Sequence, residues 1–356
     1  MKPASLLTAD CIWNSFQNSG KRHLIITGSK RSGKTTLLSR LFTEKLPGLT
    51  SWCERQKSVY LKDNLSDFFV QVGSFSSEEQ KMVLCSDGFE ASGIHAVLRL
   101  IDNSSPWITI DEIGYLEENC FEYQKALRKL FDKKQVAVVL RKQNLPFINE
   151  LYSRDDVFII DLDNPFGNIG CVIMASGFGK RFGGNKLLED FRGKPLFSYV
   201  LDATDDIFSK RVVVTRYKEI EEFCKAREID VVMHDLPYRN DTVRLGLDAL
   251  QGVEHCMFVT SDQPLLSSET VRGIALAGVN ARDKIWRVTF GESLGLPAIF
   301  PKWTFDELFT LGQGEGGGVV IKRHPEAVSE YGVKNELELR DVDTYEELKA
   351  LENNVL

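Results

Sequence analysis

The 356 residues carry no excess of positive charge: 44 lysines and arginines face 51 acidic residues, for a formal net charge of −7. No basic stripe is visible either, which argues against a nucleic-acid partner. No apolar stretch reaches the roughly 20 residues of a membrane span. No basic segment followed by a long apolar run opens the chain, so no secretory signal is expected. The expectation is a cytoplasmic protein that makes no membrane contact. The seven cysteines, Cys11, Cys53, Cys85, Cys120, Cys171, Cys224 and Cys256, are odd in number and form no C-x-x-C pair. A zinc knuckle or disulfide framework is therefore a poor reading. Most fit as small buried hydrophobes in a reducing compartment. His23, His95, His234, His255 and His324 lie apart with no ligand-like pair, and receive no catalytic role. No internal repeat is evident.

What is present is a run of strand-length apolar segments separated by helical stretches. In the first half they are His23–Thr27, Trp107–Ile110, Val136–Leu140 and Val157–Ile160. In the second they are Cys171–Met174, Arg211–Thr215, Asp230–Met233, Cys256–Thr260, Trp286–Phe290 and Pro297–Phe300. Short β-branched runs suit strands buried on both faces of a mostly parallel sheet, and strand–helix alternation gives an α/β class. Turn formers crowd the stretch from Asp161 to Gly170, which sets a boundary there. The expected domains are 1–165 and 168–356. Residues 46–100 are less regular. Val59–Leu61, Phe68–Val72 and Met82–Leu84 read as strands, with turns at Asp63-Asn64, Gly73-Ser74 and Asp87-Gly88, as an antiparallel insertion.

Two glycine-rich loops carry the chemistry. The first, Gly28-Ser29-Lys30-Arg31-Ser32-Gly33-Lys34-Thr35, follows a strand and opens a helix with Leu37, Leu38 and Leu41 inward. It satisfies G-x-x-x-x-G-K-[ST] in full. Its glycines let backbone N–H groups wrap phosphates. Lys34 places charge on the β and γ phosphates, and Thr35 offers a hydroxyl to Mg²⁺. The helix N-terminus, reaching Thr36, adds its dipole. A partner acid belongs at the end of a later strand. Trp107–Ile110 delivers Asp111 for a magnesium-bound water and Glu112 to orient the attacking water.

Asp111-Glu112-Ile113-Gly114-Tyr115-Leu116-Glu117 resembles the DEIG-x-x-E stretch of the small P-loop nucleoside-triphosphatases first described from thermophiles. The likeness runs through Phe121, the helix Ala126–Leu130 and the strand Val136–Leu140, over most of residues 21–165. It implies a three-layer P-loop fold and hydrolysis of nucleoside triphosphates, ATP or GTP among them. Glu117 stands where that family keeps an acid. A capping or solvent-facing role serves it equally well.

The second loop runs Ala175-Ser176-Gly177-Phe178-Gly179-Lys180-Arg181-Phe182-Gly183-Gly184-Asn185-Lys186. Glycines again expose backbone amides to a triphosphate. Arg181 can fork onto phosphate oxygens, and Lys186 can neutralise charge growing at the α phosphorus.

This loop, with the spacing G-x-G-x-R-x-G-G-x-K, resembles that of the nucleotidyltransferases of molybdenum cofactor maturation. Four further stretches share the likeness: Asn185–Leu188 with Gly193–Leu196, Ser261–Leu266, Leu296–Phe300 and Asp341–Leu348. It covers about residues 168–356 and implies a Rossmann-like fold. It also implies Asp262 as the Mg²⁺ ligand. Asp343-x-x-Glu346 reads first as an N-cap and N3 acid pair opening the last helix, and only second, with Asp341, as metal ligands. Thr242–Leu247 stands where the family has Ser-Leu-Arg-x-Gly-Leu. In Gly312-Gln313-Gly314-Glu315-Gly316-Gly317-Gly318 the family's G-D-x-G carboxylate is displaced.

The loop opening resembles the cytidylyl branch more than the guanylyl branch. The implied reaction is attack by the phosphate of a metal-loaded molybdopterin on the α phosphorus of CTP, with a molybdoenzyme as eventual recipient. A sugar or polyol phosphate is the alternative acceptor. A nucleotide-sensing module is the alternative role of the first half.

Overall fold

The computed structural model describes residues 7–54, 57–85, 87–179 and 181–353. Lys180, inside the second loop, and residues 1–6, on which the leader expectation partly rests, lie outside the described residues. The chain divides into two compact units. Gly20–Pro165 forms the body of the first; Asp10–Ser19 joins Phe166 onward in the second.

The first unit is built on eight strands: β1 (His23–Thr27), β2 (Gly48–Glu54), β3 (Ser58–Asp63), β4 (Phe69–Ser76), β5 (Lys81–Leu84), β6 (Trp107–Ile113), β7 (Gln135–Leu140) and β8 (Val157–Asp161). Their order is β5-β4-β3-β2-β6-β7-β1-β8. From β2 to β8 all pairs are parallel, and β2 to β5 extend the sheet antiparallel. Central strands such as β1 and β7 are apolar along their length because helices cover both faces. Leu127, Leu130 and Phe131 from the helix Phe121–Lys133 join Ile25, Ile108 and Val138 in one core.

The sequence places a turn at Gly73-Ser74; the structure puts both residues inside β4. Gly73 is there because a Cβ would come within 3.1 Å of Leu116 and 3.3 Å of Val59. A register shift sits opposite, between Val59 and Tyr60. A glycine in a strand marks such a close approach as readily as it marks a turn.

The second unit holds β9 (Ile169–Ala175), the short pair β10 (Asp190–Phe191) and β11 (Lys194–Pro195), then β12 (Lys210–Thr215), β13 (Asp230–Met233), β14 (His255–Thr260), β15 (Ile285–Phe290), β16 (Ser293–Pro301) and β17 (Val328–Gly332). Seven of these form the main sheet, ordered β13-β12-β9-β14-β16-β15-β17. β13, β12, β9 and β14 run parallel; β16 turns the sheet antiparallel. The helix Arg239–Ala249 lies on β9 and β12. Gly246 permits this, since a Cβ there would sit 2.4 Å from Val172. Both β9 and β14 therefore end at the same edge, where open α/β sheets bind ligands.

The helix Ala9–Ser19 precedes the first loop but packs in the second unit. Ser15 Oγ donates to Gly273 O at 2.9 Å, and Asn14 Nδ2 donates to Tyr331 Oη at 2.7 Å. Ile12 and Ser15 are fully buried there.

Candidate active sites

In the first unit, β1 runs into the loop Gly28–Thr35 and the helix Lys34–Leu41 follows at once. Gly33, at φ +100°, takes a backbone conformation that side chains resist. Lys34 is almost fully buried. Its Nζ donates to Gly28 O at 3.1 Å and Ser29 O at 3.0 Å, so the ammonium is folded onto the loop it serves. Thr35 Oγ1 donates to Asp111 Oδ1 at 3.2 Å. Thr35 and Asp111, the pair expected at magnesium, thus meet across 76 residues of sequence. Burial pushes the Asp111 carboxyl up.

Glu112 lies within β6, which continues to Ile113, and its carboxylate is paired with Arg141. Lys30, Arg31 and Thr36 are exposed on the loop and the helix start, and Ser32 is half-buried. Ser29 is claimed by an acid that sequence reading did not select. Its N–H and Oγ donate to the two oxygens of Asp163, each at 2.8 Å. Lys142 bridges Asp161 and Asp163 at 2.7 and 3.2 Å. Glu117 does not face solvent. It is 5% exposed, its Oε2 accepts the Gly114 N–H at 2.8 Å, and burial raises its pKa to about 7.

In the second unit, three consecutive residues at the end of β12 hold three consecutive carbonyls of the second loop. Thr215 Oγ1 donates to Ala175 O at 2.9 Å, Arg216 Nε to Ser176 O at 2.8 Å, and Tyr217 Oη to Gly177 O at 2.6 Å. These three bonds tie the loop's carbonyls back to the end of β12. Gly179 is at φ +58°, and a Cβ there would lie 2.2 Å from Gly184 O. Ser176 Oγ donates to Val214 O at 2.9 Å and lies 2.7 Å from His234 Nε2. A hydroxyl has one proton, so His234 Nε2–H is the donor in that contact. His234 Nδ1 is then a bare acceptor, and it has no partner. Burial lowers the His234 pKa.

Lys186 closes the loop. It is 8% exposed, and its Nζ reaches Asp262 Oδ2 at 2.7 Å and Asp343 Oδ1 at 2.9 Å. Arg181 Nη2 meets Asp343 Oδ2 at 2.7 Å from an exposed position. Lys186 draws the Asp343 carboxyl below its usual range. Asp341 behaves oppositely: burial, then the charge of Asp262, raises it to about 6. The N-cap expectation for Asp343 is displaced by one residue. Thr344 Oγ1 accepts the Glu347 N–H at 3.2 Å, while Glu347 Oε2 takes the N–H groups of Asp343 and Thr344. The last helix, Tyr345–Asn353, is therefore capped by Thr344, and the Asp343 side chain is left to Lys186 and Arg181.

Two cavities flank Asp262. One, of about 250 Å³, is lined by Ser176, Gly177, Lys186, Arg216 and Asp262. The other, of about 560 Å³, is lined by Phe258, Gln263, Arg287, Phe300 and Asp341, with the displaced carboxylate of Glu315 at its rim. They share Met174, Arg239 and Thr260. Asp262 Oδ1, Thr260 Oγ1, Gln263 Oε1 and Arg287 Nε are buried with no hydrogen-bond partner, a concentration of orphaned polar atoms at one place. Among the described residues no three carboxylate, imidazole or thiol groups stand arranged as a ready metal cage. The free oxygen of Asp262, beside Asp341, fits a divalent ion that takes its other ligands from a bound phosphate. Among the described residues no helix is long and apolar enough to cross a membrane.

Comparison with known proteins agrees with the two-part reading. Residues 171–328 match the family model for the MobA-like NTP transferase domain, and residues 55–165 match that for an NTPase family. A probable molybdenum cofactor guanylyltransferase of Aquifex aeolicus is 30% identical over 102 residues, 28% of this chain and 49% of that protein. The bifunctional protein GlmU of Thermoanaerobacter pseudethanolicus is 29% identical over 106 residues, 28% of this chain and 23% of that one. The chain thus spans half or less of these relatives' length. The crystal structure of Rv0371c from Mycobacterium tuberculosis covers 53% of this chain and 100% of its own, at 22% identity and a TM-score of 0.49. The chain carries, in order, an NTPase-family segment and a MobA-like NTP transferase domain.

Proposed function

We propose that the second unit transfers CMP from CTP to the terminal phosphate of a molybdopterin-type cofactor and releases pyrophosphate. The observation that carries this reading is Lys186, held beside Asp262 and Asp343 with Arg181 at the same carboxylate. Two cations and the loop's amides suit the phosphate chain. Asp262, with Asp341, would hold Mg²⁺, which supplies charge neutralisation at the phosphates when bound. The two carboxylates now on Lys186 stand in for phosphate oxygens, and the ammonium exchanges them for the α phosphate. The acceptor enters from the larger cavity. Its phosphate oxygen forms a bond to the α phosphorus as the bond to the bridging oxygen of pyrophosphate breaks. Positioning and charge stabilisation suffice, with no covalent enzyme intermediate.

In the first unit Lys34, Thr35, Asp111 and Glu112 are proposed to bind and hydrolyse a nucleoside triphosphate with Mg²⁺. The seven free thiols, five of them buried, suit the cytoplasm. A molybdoenzyme is the proposed recipient of the finished cofactor. The guanylyltransferase relatives favour GTP as a second reading of the base. Incubating the chain with CTP or GTP and molybdenum-loaded pterin, and weighing the product, separates the two. Replacing the pterin by sugar and polyol phosphates tests the acceptor. Pyrophosphate released only with the latter would refute the pterin assignment.

A further inference from the structure

The antiparallel extension β2–β5 walls a cavity of about 430 Å³ in the first unit. The cavity adjoins the P-loop, since one loop residue lines it. It is lined by Lys30 of the loop, Glu112 of β6 and Arg141, the cation paired with Glu112. Trp52 and Phe75 come in from the extension, and Glu117 from the turn after β6.

Hydrolysis needs one water beside Glu112. A cavity of this size instead falls in the range of sites for small organic molecules. Its walls indicate the class. Trp52 and Phe75 offer flat apolar surface of the kind that planar rings pack on. The Trp52 indole is stacked on Tyr60, with centroids 5.2 Å apart and planes 22° off parallel, which steadies its orientation. Glu117 lines the cavity although it is 5% exposed, and the Gly114 N–H occupies one of its oxygens. A carboxyl so placed suits the N–H or ring nitrogen of a heterocycle.

We propose that this cavity is the acceptor site of a phosphoryl transfer, and that it takes a planar heteroaromatic alcohol of nucleoside size. This rests on the P-loop reading above. The acceptor's hydroxyl oxygen forms a bond to the γ phosphorus while the bond from that phosphorus to the β–γ bridging oxygen breaks. The nucleoside diphosphate leaves with that electron pair. The hydroxyl proton passes to the carboxylate of Glu112, which lines the cavity together with Lys30 of the loop. Nothing is oxidised or reduced, and water is the competing nucleophile.

The test uses the full chain, Mg²⁺ and ATP labelled at the γ phosphorus. Adenosine, guanosine, cytidine, thymidine and neopterin are offered in turn, and the products are separated by chromatography. Label is expected in a phosphorylated acceptor with at least one of these. Trp52→Ala lowers the ratio of labelled acceptor to labelled phosphate by about tenfold, the size of one lost aromatic contact, and Trp52→Phe largely restores it. Label confined to inorganic phosphate with every probe overturns the proposal and leaves the hydrolytic reading standing. A ratio unmoved in Trp52→Ala also overturns it. ATP that is neither bound nor turned over overturns both.

Discussion

Lys186 sits between two carboxylates at hydrogen-bond distance, so its charge is satisfied before any ligand arrives. A nucleotide must therefore offer more than these acids do, and a triphosphate with its metal ion does so. Removing the ammonium takes away one stabiliser of the charge that develops in the transition state. Lys186→Ala is expected to lower turnover by about 100-fold or more, read as pyrophosphate release. Near-normal release would remove Lys186 from the chemistry. A second residue-scale prediction concerns Glu117. Burial raises its folded pKa from the usual 4.5 to about 7. Its stabilising contribution is full below the unfolded value and is lost as pH rises through 7. The first unit should lose about 2 kcal/mol from this source between pH 5 and pH 8. Glu117→Gln keeps an acceptor for the Gly114 N–H and cannot ionise. Urea unfolding at the two pH values should show that the variant escapes most of this loss; equal losses would contradict the assignment.

At the same scale lies the division between what the sequence reveals and what it hides. Gly33, Lys34 and Thr35 are legible as a proposed phosphate site because the pattern is contiguous: one loop and the helix after it. The pairing of Asp343 with Lys186 spans 157 positions, and that of Asp262 spans 76. No local periodicity records such distances. Asp343 was further masked by a sound local alternative, since an acid three residues before Glu346 reads as a cap. Asp163, Arg141 and His234 carry no motif at all. Asp163 and His234 reach back to loops, and Arg141 to Glu112 on β6, that only folding brings near.

At the scale of elements, strands with both faces buried announce themselves through unbroken apolar runs, as β1, β7 and β14 do. Strands with mixed burial do not. β2 changes from buried to exposed along its length, and β17 sits at the sheet edge. The helix Ala9–Ser19 is the least legible element, because its partners Gly273 and Tyr331 lie more than 250 residues on. Its placement leads to a prediction. Asn14→Ala should destabilise the second unit by about 1 kcal/mol through the lost bond to Tyr331, without altering the unfolding of the first. A shift confined to the first unit's transition would contradict the packing. The second loop gives another. Gly179→Ala forces a Cβ to within 2.2 Å of Gly184 O and should disable transfer while leaving the first site's hydrolysis intact. Pyrophosphate and phosphate release, measured on one preparation, read both.

At the scale of the molecule, each compact unit has a buried core among the described residues, and each candidate site lies at the carboxyl ends of its unit's parallel strands. Separate compact units predict that the two proposed activities can be removed one at a time by single substitutions. Lys34→Ala should abolish the proposed nucleoside triphosphate hydrolysis and leave nucleotidyl transfer within about twofold, because Lys34 bonds only within its own loop and lies in the other compact unit. A matching fall in transfer would mean that hydrolysis gates the second unit. The central claim remains nucleotidyl transfer at Lys186 and Asp262. It is tested most directly by incubating the full chain with Mg²⁺, CTP and molybdenum-loaded molybdopterin, and measuring pyrophosphate and the mass of the pterin product, with Lys186→Ala in parallel. The predicted result is a pterin heavier by one CMP, formed with one pyrophosphate, and almost none of either from the variant. A pterin of unchanged mass with no pyrophosphate released, or a variant as active as the natural chain, would contradict the account.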